Sequence, residues 1–399
     1  YGQPRLSFQE HRFFPQFGLP AGYHLVILLP EILMHPNPPP ALTVRAIKAV
    51  GVEVPMTHVL GTSKGRITRA PLLLIDVETE EGVTGRSYLW SYFRQAMPAI
   101  ASILGAVEEC VKGDRATPQA LWDKLNARFA LIGVQGVVRM AMAGFDVACW
   151  DAASIAAGLP LATMVGAAPR RIPAYNSCGL GLMPLDELAD EAEQLLANGF
   201  RAMKLRLGYP TLKEDIAAVR AVRNRIPAGV ALMVDYNQAL TLDDALERGR
   251  ALDQEDIAWL EEPIRHDDYA GAAELKRALD VPIQIGENFS LVAGMRAALD
   301  ANCCNYVMPD LERIGGVTGW LRAAALAAER QIKMSSHLYS EASAHLLAAT
   351  PTCHYLEYVD WADKVVRDPL KIVDGHAVIA DMPGSGVVWN PSAVEKFRV

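Results

Sequence analysis

Short apolar runs and longer amphipathic stretches alternate along most of this chain. From residue 171 onward, β-rich runs recur at intervals of about 20–30 residues. They are RIPAYNSC (171–178), FRAMKLRLG (200–208), GVALMVDYN (229–237), IAWLEEP (257–263), VPIQIGEN (281–288), CNYVMPD (304–310), QIKMSSHL (331–338) and HYLEYV (354–359). The stretches between them are rich in Ala, Leu and charged residues, with apolar positions at three-to-four spacing, as in a helix packed on one face. Alternation of this kind predicts a parallel sheet, and eight repeats predict a closed (β/α)₈ barrel over residues 171–375.

Residues 42–170 follow another pattern. Leu42–Val52, Pro71–Thr79 and Val83–Leu89 read as strands, and Arg94–Lys112, Pro118–Phe129 and Val137–Ala157 as helices. Strands followed by helices predict an α+β unit. Between the first two strands, Thr57–Arg69 is glycine-containing, polar and basic, and reads as a flexible, lid-like loop. The β-like piece Lys371–Ala380 and the tail, residues 376–399, are expected to return to this first unit. Residues 1–41 hold eight prolines and one short apolar stretch, His24–Met34, broken by Pro30 and Glu31. No small-residue cleavage site follows it, so the segment reads as an extension without assigned chemistry rather than a secretory leader.

Composition narrows the function. With 38 Lys plus Arg against 46 Asp plus Glu, the net charge is −8, which offers no electrostatic footprint for nucleic acid or an anionic membrane surface. No run of about 18 apolar residues marks a membrane span. The six cysteines are scattered without a CxxC pair, as expected of reduced thiols in the cytoplasm.

The polar residues concentrate at strand C-termini. They are Lys204 and Arg206, then Asp235, Glu261, Glu287, Asp310, His337 and Glu357. One strand–helix unit per step brings them all to the C-terminal mouth, where barrel enzymes build their sites. Asp235, Glu261 and Glu287 end consecutive strands. Three carboxylates converging there call for a cation, and hard oxygen ligands suit Mg²⁺, with Mn²⁺ as substitute. Lys204 and Arg206, one residue apart, both point inward and need anionic partners such as the metal ligands and a substrate carboxylate. Asp310 and His337 end adjacent strands, so a hydrogen bond between them would fix the imidazole tautomer and make His337 a general base.

Over roughly residues 42–399 the chain resembles the enolase superfamily, specifically its mandelate racemase subgroup. The resemblance rests on VDYNQ, WLEEP, IGEN, MPD followed by IGGVTGW, and SSHL followed by SAHLLAAT. It implies a (β/α)₇β TIM-like barrel under an α+β N-terminal capping domain, and one Mg²⁺ held by Asp235, Glu261 and Glu287. It implies the His337–Asp310 dyad as acid/base and Glu357 as an acid that hydrogen-bonds the substrate carboxylate. Glu357 would have to be protonated to donate, so burial should raise its pKa. Ser177 matches a residue that binds a carboxylate oxygen, and Asn237 one near the substrate hydroxyl. The implied chemistry is abstraction of the proton α to a carboxylate through an enediolate. Lys204 adds to the positive field that stabilises it. The partners implied are a small-molecule carboxylate and further copies of the chain, as an octamer or dimer.

In one place the sequence departs from the subgroup, whose strand-two motif is Lys-x-Lys. Here the second position is Arg206, a poor base but a good fixed cation. A racemase needs a proton carrier on each face of the substrate, whereas a dehydratase can use His337 in turn as base and acid. Acid-sugar dehydration to a 2-keto-3-deoxy acid is therefore the leading reading. A 2-hydroxy-acid racemase or epimerase is the alternative, and a non-catalytic metal- or acid-binding protein is the alternative of another class. The lid residues Ser63, Lys64, Arg66, Thr68 and Arg69 suit a polyhydroxy or dianionic acid.

Overall fold

The computed structural model describes residues 41–399, so all but the last residue of the expected N-terminal extension lies outside the described residues. The chain opens with β1 (Val44–Thr62), β2 (Gly65–Thr79) and β3 (Thr84–Trp90), an antiparallel sheet in sequence order. Four helices follow: α1 (Met97–Val111), α2 (Pro118–Phe129), α3 (Gly136–Ala157) and the short α4 (Leu161–Met164). One face of the sheet buries Val44, Leu73, Ile75, Val77 and Leu89 against α1, α2 and α3. Each such side chain, fully buried, contributes about 1.5–3 kcal/mol. Helix α3 lies so close to the sheet that a Cβ on Gly85 would come within 1.9 Å of the Ala148 carbonyl oxygen. Only glycine fits there.

The barrel begins with β4 (Arg171–Asn176). In chain order come α5 (Leu185–Gln194), β5 (Ala202–Arg206), α6 (Leu212–Arg225), β6 (Ala231–Asp235), α7 (Leu242–Leu252), β7 (Leu260–Glu261) and α8 (Tyr269–Ala278). Then come β8 (Ile283–Ile285), α9 (Leu291–Asp300), β9 (Tyr306–Val307), α10 (Leu311–Ile314), α11 (Gly316–Glu329), β10 (Lys333–Met334), α12 (Ser340–Ala348) and β11 (Leu356–Tyr358). Strands β4 to β10 pair in parallel sequence, and β11 pairs in parallel with β4. A Met334–Cys353 bridge joins β10 to the approach of β11, which closes the ring. Eight strands thus carry seven helical connections. No helix lies between β11 and the strand that follows it (residues 359–370), in keeping with a (β/α)₇β barrel. Inside, Tyr175, Ala202, Met233 and Trp259 fill the lumen. Met203, Leu205 and Leu207, the alternate positions of β5, pack outward into the main core.

Two expectations need correction. The segment Thr57–Arg69 is the tip of a long β1–β2 hairpin rather than a flexible loop. Leu60 pairs with Ile67, Gly61 with Arg66 and Thr62 with Gly65, so Ser63 and Lys64 alone form the turn. The piece after residue 370 does not return to the first unit. Strands β12 (Lys371–Val373) and β13 (His376–Val378) form a hairpin whose second strand pairs antiparallel with the start of β4. The tail goes back as expected from Gly384 onward, where the Leu161 amide donates to the Gly384 carbonyl at 2.8 Å and the Ser385 amide donates to Asp151 of α3 at 2.6 Å. Trp389 Nε1 donates to Asp76 at 2.7 Å, and past helix α13 (Pro391–Phe397) Val399 N donates to the Gly51 carbonyl at 3.1 Å. No helix among the described residues is long and apolar enough to cross a membrane.

Candidate active site

The C-terminal ends of the strands bring the sequence-selected residues together. Asp235 ends β6 and Glu261 ends β7, while Glu287 lies two residues past β8. One carboxylate oxygen from each falls within 4.8 Å of the others. Each carboxylate is held from behind. Asn237 donates to Asp235 through its backbone N at 2.7 Å and its side chain at 2.9 Å. Trp259 Nε1 and Gln284 Nε2 donate to Glu261 Oε2 at 3.0 and 3.2 Å. Asn288 donates to Glu287 at 3.0 Å. Burial, reinforced by Asp235, Glu357 and Glu287, pushes Glu261 up to about 8 despite Lys204. Burial and Glu287 likewise raise Asp235. Two carboxyls forced toward neutrality mark a site short of positive charge. Asn237 Oδ1 is buried beside them with no hydrogen-bond partner among the described residues. This donor set of hard oxygens fits Mg²⁺.

Lys204 is the cation already present. Its ammonium lies 2.6 Å from Glu261, 2.7 Å from Glu357 and 3.3 Å from Asp235. Burial opposes its charge, but Glu261 and Glu357 outweigh burial and raise its pKa well above the ordinary value.

Arg206 points into the same mouth and forms no ion pair among the described residues, though its charge favours the ionised form of Asp235. It donates to the Gly179 carbonyl at 2.6 Å and to the Ser177 carbonyl and hydroxyl at 3.2 Å each. The guanidinium is thus tied to the loop after β4.

On the other side, His337 Nδ1 and Asp310 Oδ2 are 2.5 Å apart. Asp310 also caps α10, its Oδ1 accepting from the amides of Glu312 and Arg313 at 2.9 and 3.0 Å. That fixes the carboxylate against which the imidazole orients. His337 Nε2 faces inward, 3.2 Å from Glu287 Oε2. Burial opposes imidazolium, but Glu287, Glu357 and the Asp310 bond raise His337 well above its ordinary pKa. The same contact holds Glu287 down at about 2 against the pull of burial.

The expected charge of Glu357 is corrected here. Burial alone would raise it, but Lys204 and His337 overcome burial and hold it below the usual carboxylate range. It accepts from Ser177 Oγ at 2.8 Å and from the Leu338 amide at 2.9 Å. In this state Glu357 is an ionised acceptor.

Sequence reasoning missed several residues. Arg313 donates to the Glu287 carbonyl at 2.9 Å and lies 3.8 Å from Asp310 Oδ2, with its guanidinium 4.8 Å from the ring of Tyr92 in the capping domain. Glu262 anchors Asn288 at 3.0 Å. The second glutamate of WLEEP was a visible signal for the latter. Nothing in the local sequence marks Tyr92, because only the docking of the two units brings it there.

The hairpin tip closes over this mouth. The Leu182 amide donates to the Gly61 carbonyl at 3.1 Å, and Lys64 Nζ reaches the Gln238 carbonyl at 3.4 Å. Its stem is pinned where His58 Nδ1 meets Glu191 at 2.8 Å.

Comparison with known proteins adds the following. Residues 46–166 match the profile "Mandelate racemase / muconate lactonizing enzyme, N-terminal domain", and residues 187–393 match "Enolase C-terminal domain-like". An L-talarate/galactarate dehydratase of Salmonella typhimurium is 30% identical over 328 residues, 82% of each chain. The crystal structure of an enolase from alpha proteobacterium BAL199 with bound Mg superposes with a TM-score of 0.88. It is 39% identical and covers 90% of this chain and 100% of its own. An enolase from Bradyrhizobium, complexed with magnesium and mandelic acid, gives 0.87 at 37% identity, covering 90% and 99%.

Proposed function

The chain belongs to the mandelate racemase / muconate lactonizing enzyme family of the enolase superfamily, and we propose that within it the protein is an acid-sugar dehydratase. It takes the α-proton of a hydroxy-carboxylate and expels the β-hydroxyl to give a 2-keto-3-deoxy acid. The observation that carries this reading is Arg206. Tied to the Gly179 and Ser177 carbonyls, it has the geometry of a fixed cation and leaves proton transfer to His337. In its neutral form, which a cation on Glu287 would favour by offsetting the charge that holds the imidazolium, His337 Nε2 removes the α-proton from one face. The β-hydroxyl then departs with its bonding pair and the proton returned by His337, as water, and the remaining enol tautomerises to the 2-keto acid. Held by Asp235, Glu261 and Glu287, Mg²⁺ supplies positive charge that stabilises the developing charge on the substrate carboxylate. Lys204 adds a fixed cation beside it, and Ser177 and Asn237 offer hydrogen bonds to substrate oxygens.

A second reading, a 2-hydroxy-acid racemase, draws support from the mandelic acid bound to the Bradyrhizobium relative. A purely binding role leaves the buried His337–Asp310 pair without a use. We also read the protein as cytoplasmic, in keeping with six free cysteines, and as a homo-oligomer by its family resemblance alone. The experiment is a panel of mono- and diacid sugars with Mg²⁺, scored for 2-keto-3-deoxy product. Turnover of at least one acid, abolished by chelation and restored by Mg²⁺, is expected. Full activity of metal-free protein in chelator contradicts the reading.

A further inference from the structure

The turn that follows His337 is built against its own backbone preference. Leu338 and Tyr339 both sit at φ 52°, in the left-handed region. For residues with a Cβ this conformation is unfavourable and persists only where the surroundings enforce it. Leu338 is held through its amide, which donates to Glu357 Oε2 at 2.9 Å. Tyr339 is held through its side chain. Its hydroxyl accepts from the Trp90 amide of β3 at 3.1 Å and donates to Glu312 Oε2. Glu312 lies two residues past Asp310, and its own amide donates to Asp310 Oδ1. Tyr339 is 3% exposed and Glu312 2% exposed.

The Tyr339–Glu312 contact therefore joins the backbone that carries the base to the backbone that carries its orienting acid. The Asp310–His337 hydrogen bond sets the direction of the imidazole ring. It does not by itself fix the turn on which the ring is mounted. Burial and the neighbouring Asp310 push Glu312 up to about 8. Its other oxygen, Oε1, is buried with no hydrogen-bond partner among the described residues, so the Tyr339 hydroxyl is the contact that orients the carboxyl. Neither side chain has a part in the chemistry described above.

We infer that Tyr339 and Glu312 are positioning residues for His337. Their contact, anchored on the Trp90 amide, holds the strained turn so that Nε2 stays aimed into the mouth of the barrel. This rests on the reading of His337 as the base.

Tyr339→Phe tests it. The substitution keeps the ring packed on Tyr88, whose centroid is 5.4 Å away, and removes one hydroxyl. In Mg²⁺-loaded protein, with an acid that the wild type turns over, kcat should fall about 10- to 100-fold, as when a reacting group is misplaced by ~1 Å. KM should change by less than about two-fold, since substrate contacts remain. Glu312→Leu should reproduce the loss. Glu312→Gln, which keeps an acceptor for the hydroxyl, should retain near-wild-type kcat. Crystal structures of the Mg²⁺-loaded wild type and Tyr339→Phe give a readout independent of any substrate, with the His337 ring displaced in the variant. An unchanged kcat, an unmoved ring, or equal losses in Glu312→Gln and Glu312→Leu would overturn the inference. If no acid in the panel is turned over, the dehydratase reading fails while the crystallographic comparison still decides the positioning role.

Discussion

Lys204 carries the charge balance of the mouth, because three carboxylates from three strands lean on one ammonium. Lys204→Met would leave them buried without it. Removing one partner of a buried ionic cluster costs about 3–5 kcal/mol, so the Tm of metal-free protein should drop by several degrees. Mg²⁺ should recover part of the loss, as ligand binding to the folded state does. His337→Asn should instead lower kcat by orders of magnitude while Mg²⁺ affinity, measured by calorimetry, stays close to wild type. Near-wild-type turnover would make the dyad structural. The strand-end acids were legible in the sequence because one residue per strand–helix unit repeats at a recognisable spacing. The ionisation of Glu357 was not. It depends on the approach of Lys204 from a strand far away in the chain, and burial taken alone points the opposite way.

The β1–β2 hairpin is the element that decides access to the mouth. Its local sequence hides it. Polar and basic residues fall on both faces of the tip, where Ser63, Lys64, Arg66, Thr68 and Arg69 are all exposed, so no period of two appears. Its seat on the barrel is backbone against backbone. A Cβ on Gly181 would lie 2.6 Å from the Gly61 nitrogen and carbonyl oxygen. Gly181→Ala should therefore lift the tip, raise KM and leave Mg²⁺ binding unchanged. Steady-state kinetics check this, and an unaltered KM would mean that the tip does not bear on the substrate. The barrel strands lie at the other extreme of legibility. Each is a short apolar run bounded by turn residues, so all eight could be read, whereas the path of the β12–β13 hairpin depended on which free strand edge it would find.

Across the whole molecule the capping domain, the barrel and the C-terminal stretch are stitched together by buried polar contacts. His345 of α12 is one of them. Its Nδ1 accepts from the Ala162 amide in α4 at 3.1 Å. Burial lowers its pKa to about 4, against a hydrogen bond with the Ser385 backbone. The folded protein thus holds a neutral imidazole, and the unfolded chain takes up a proton below about 6.5. The resulting stability is fully present above pH 6.5 and is lost as pH falls through 4, in all about 3 kcal/mol. His345→Gln should lower Tm at pH 7.5, yet show a smaller further drop between pH 7.5 and 5 than the wild type. Parallel pH profiles for the two proteins would contradict this. Such a contact is invisible in sequence, because His345 lies on a helix that reads as ordinary amphipathic surface until α4 and the tail cover it.

With Arg206 a fixed charge, the proposed dehydratase moves protons on one face of the substrate only, through His337. Turnover in D₂O of an acid identified in the panel, with product and recovered substrate resolved by NMR, reports the face directly. A 2-keto-3-deoxy product is expected. Any deuterium in recovered substrate should sit at the α-carbon with retained configuration, because the same imidazole removes and returns the proton. Arg206→Met should slow the reaction without changing that outcome. Rapid appearance of the inverted, deuterated α-epimer with the wild type, lost in Arg206→Met, would show proton transfer on both faces and make the enzyme a racemase.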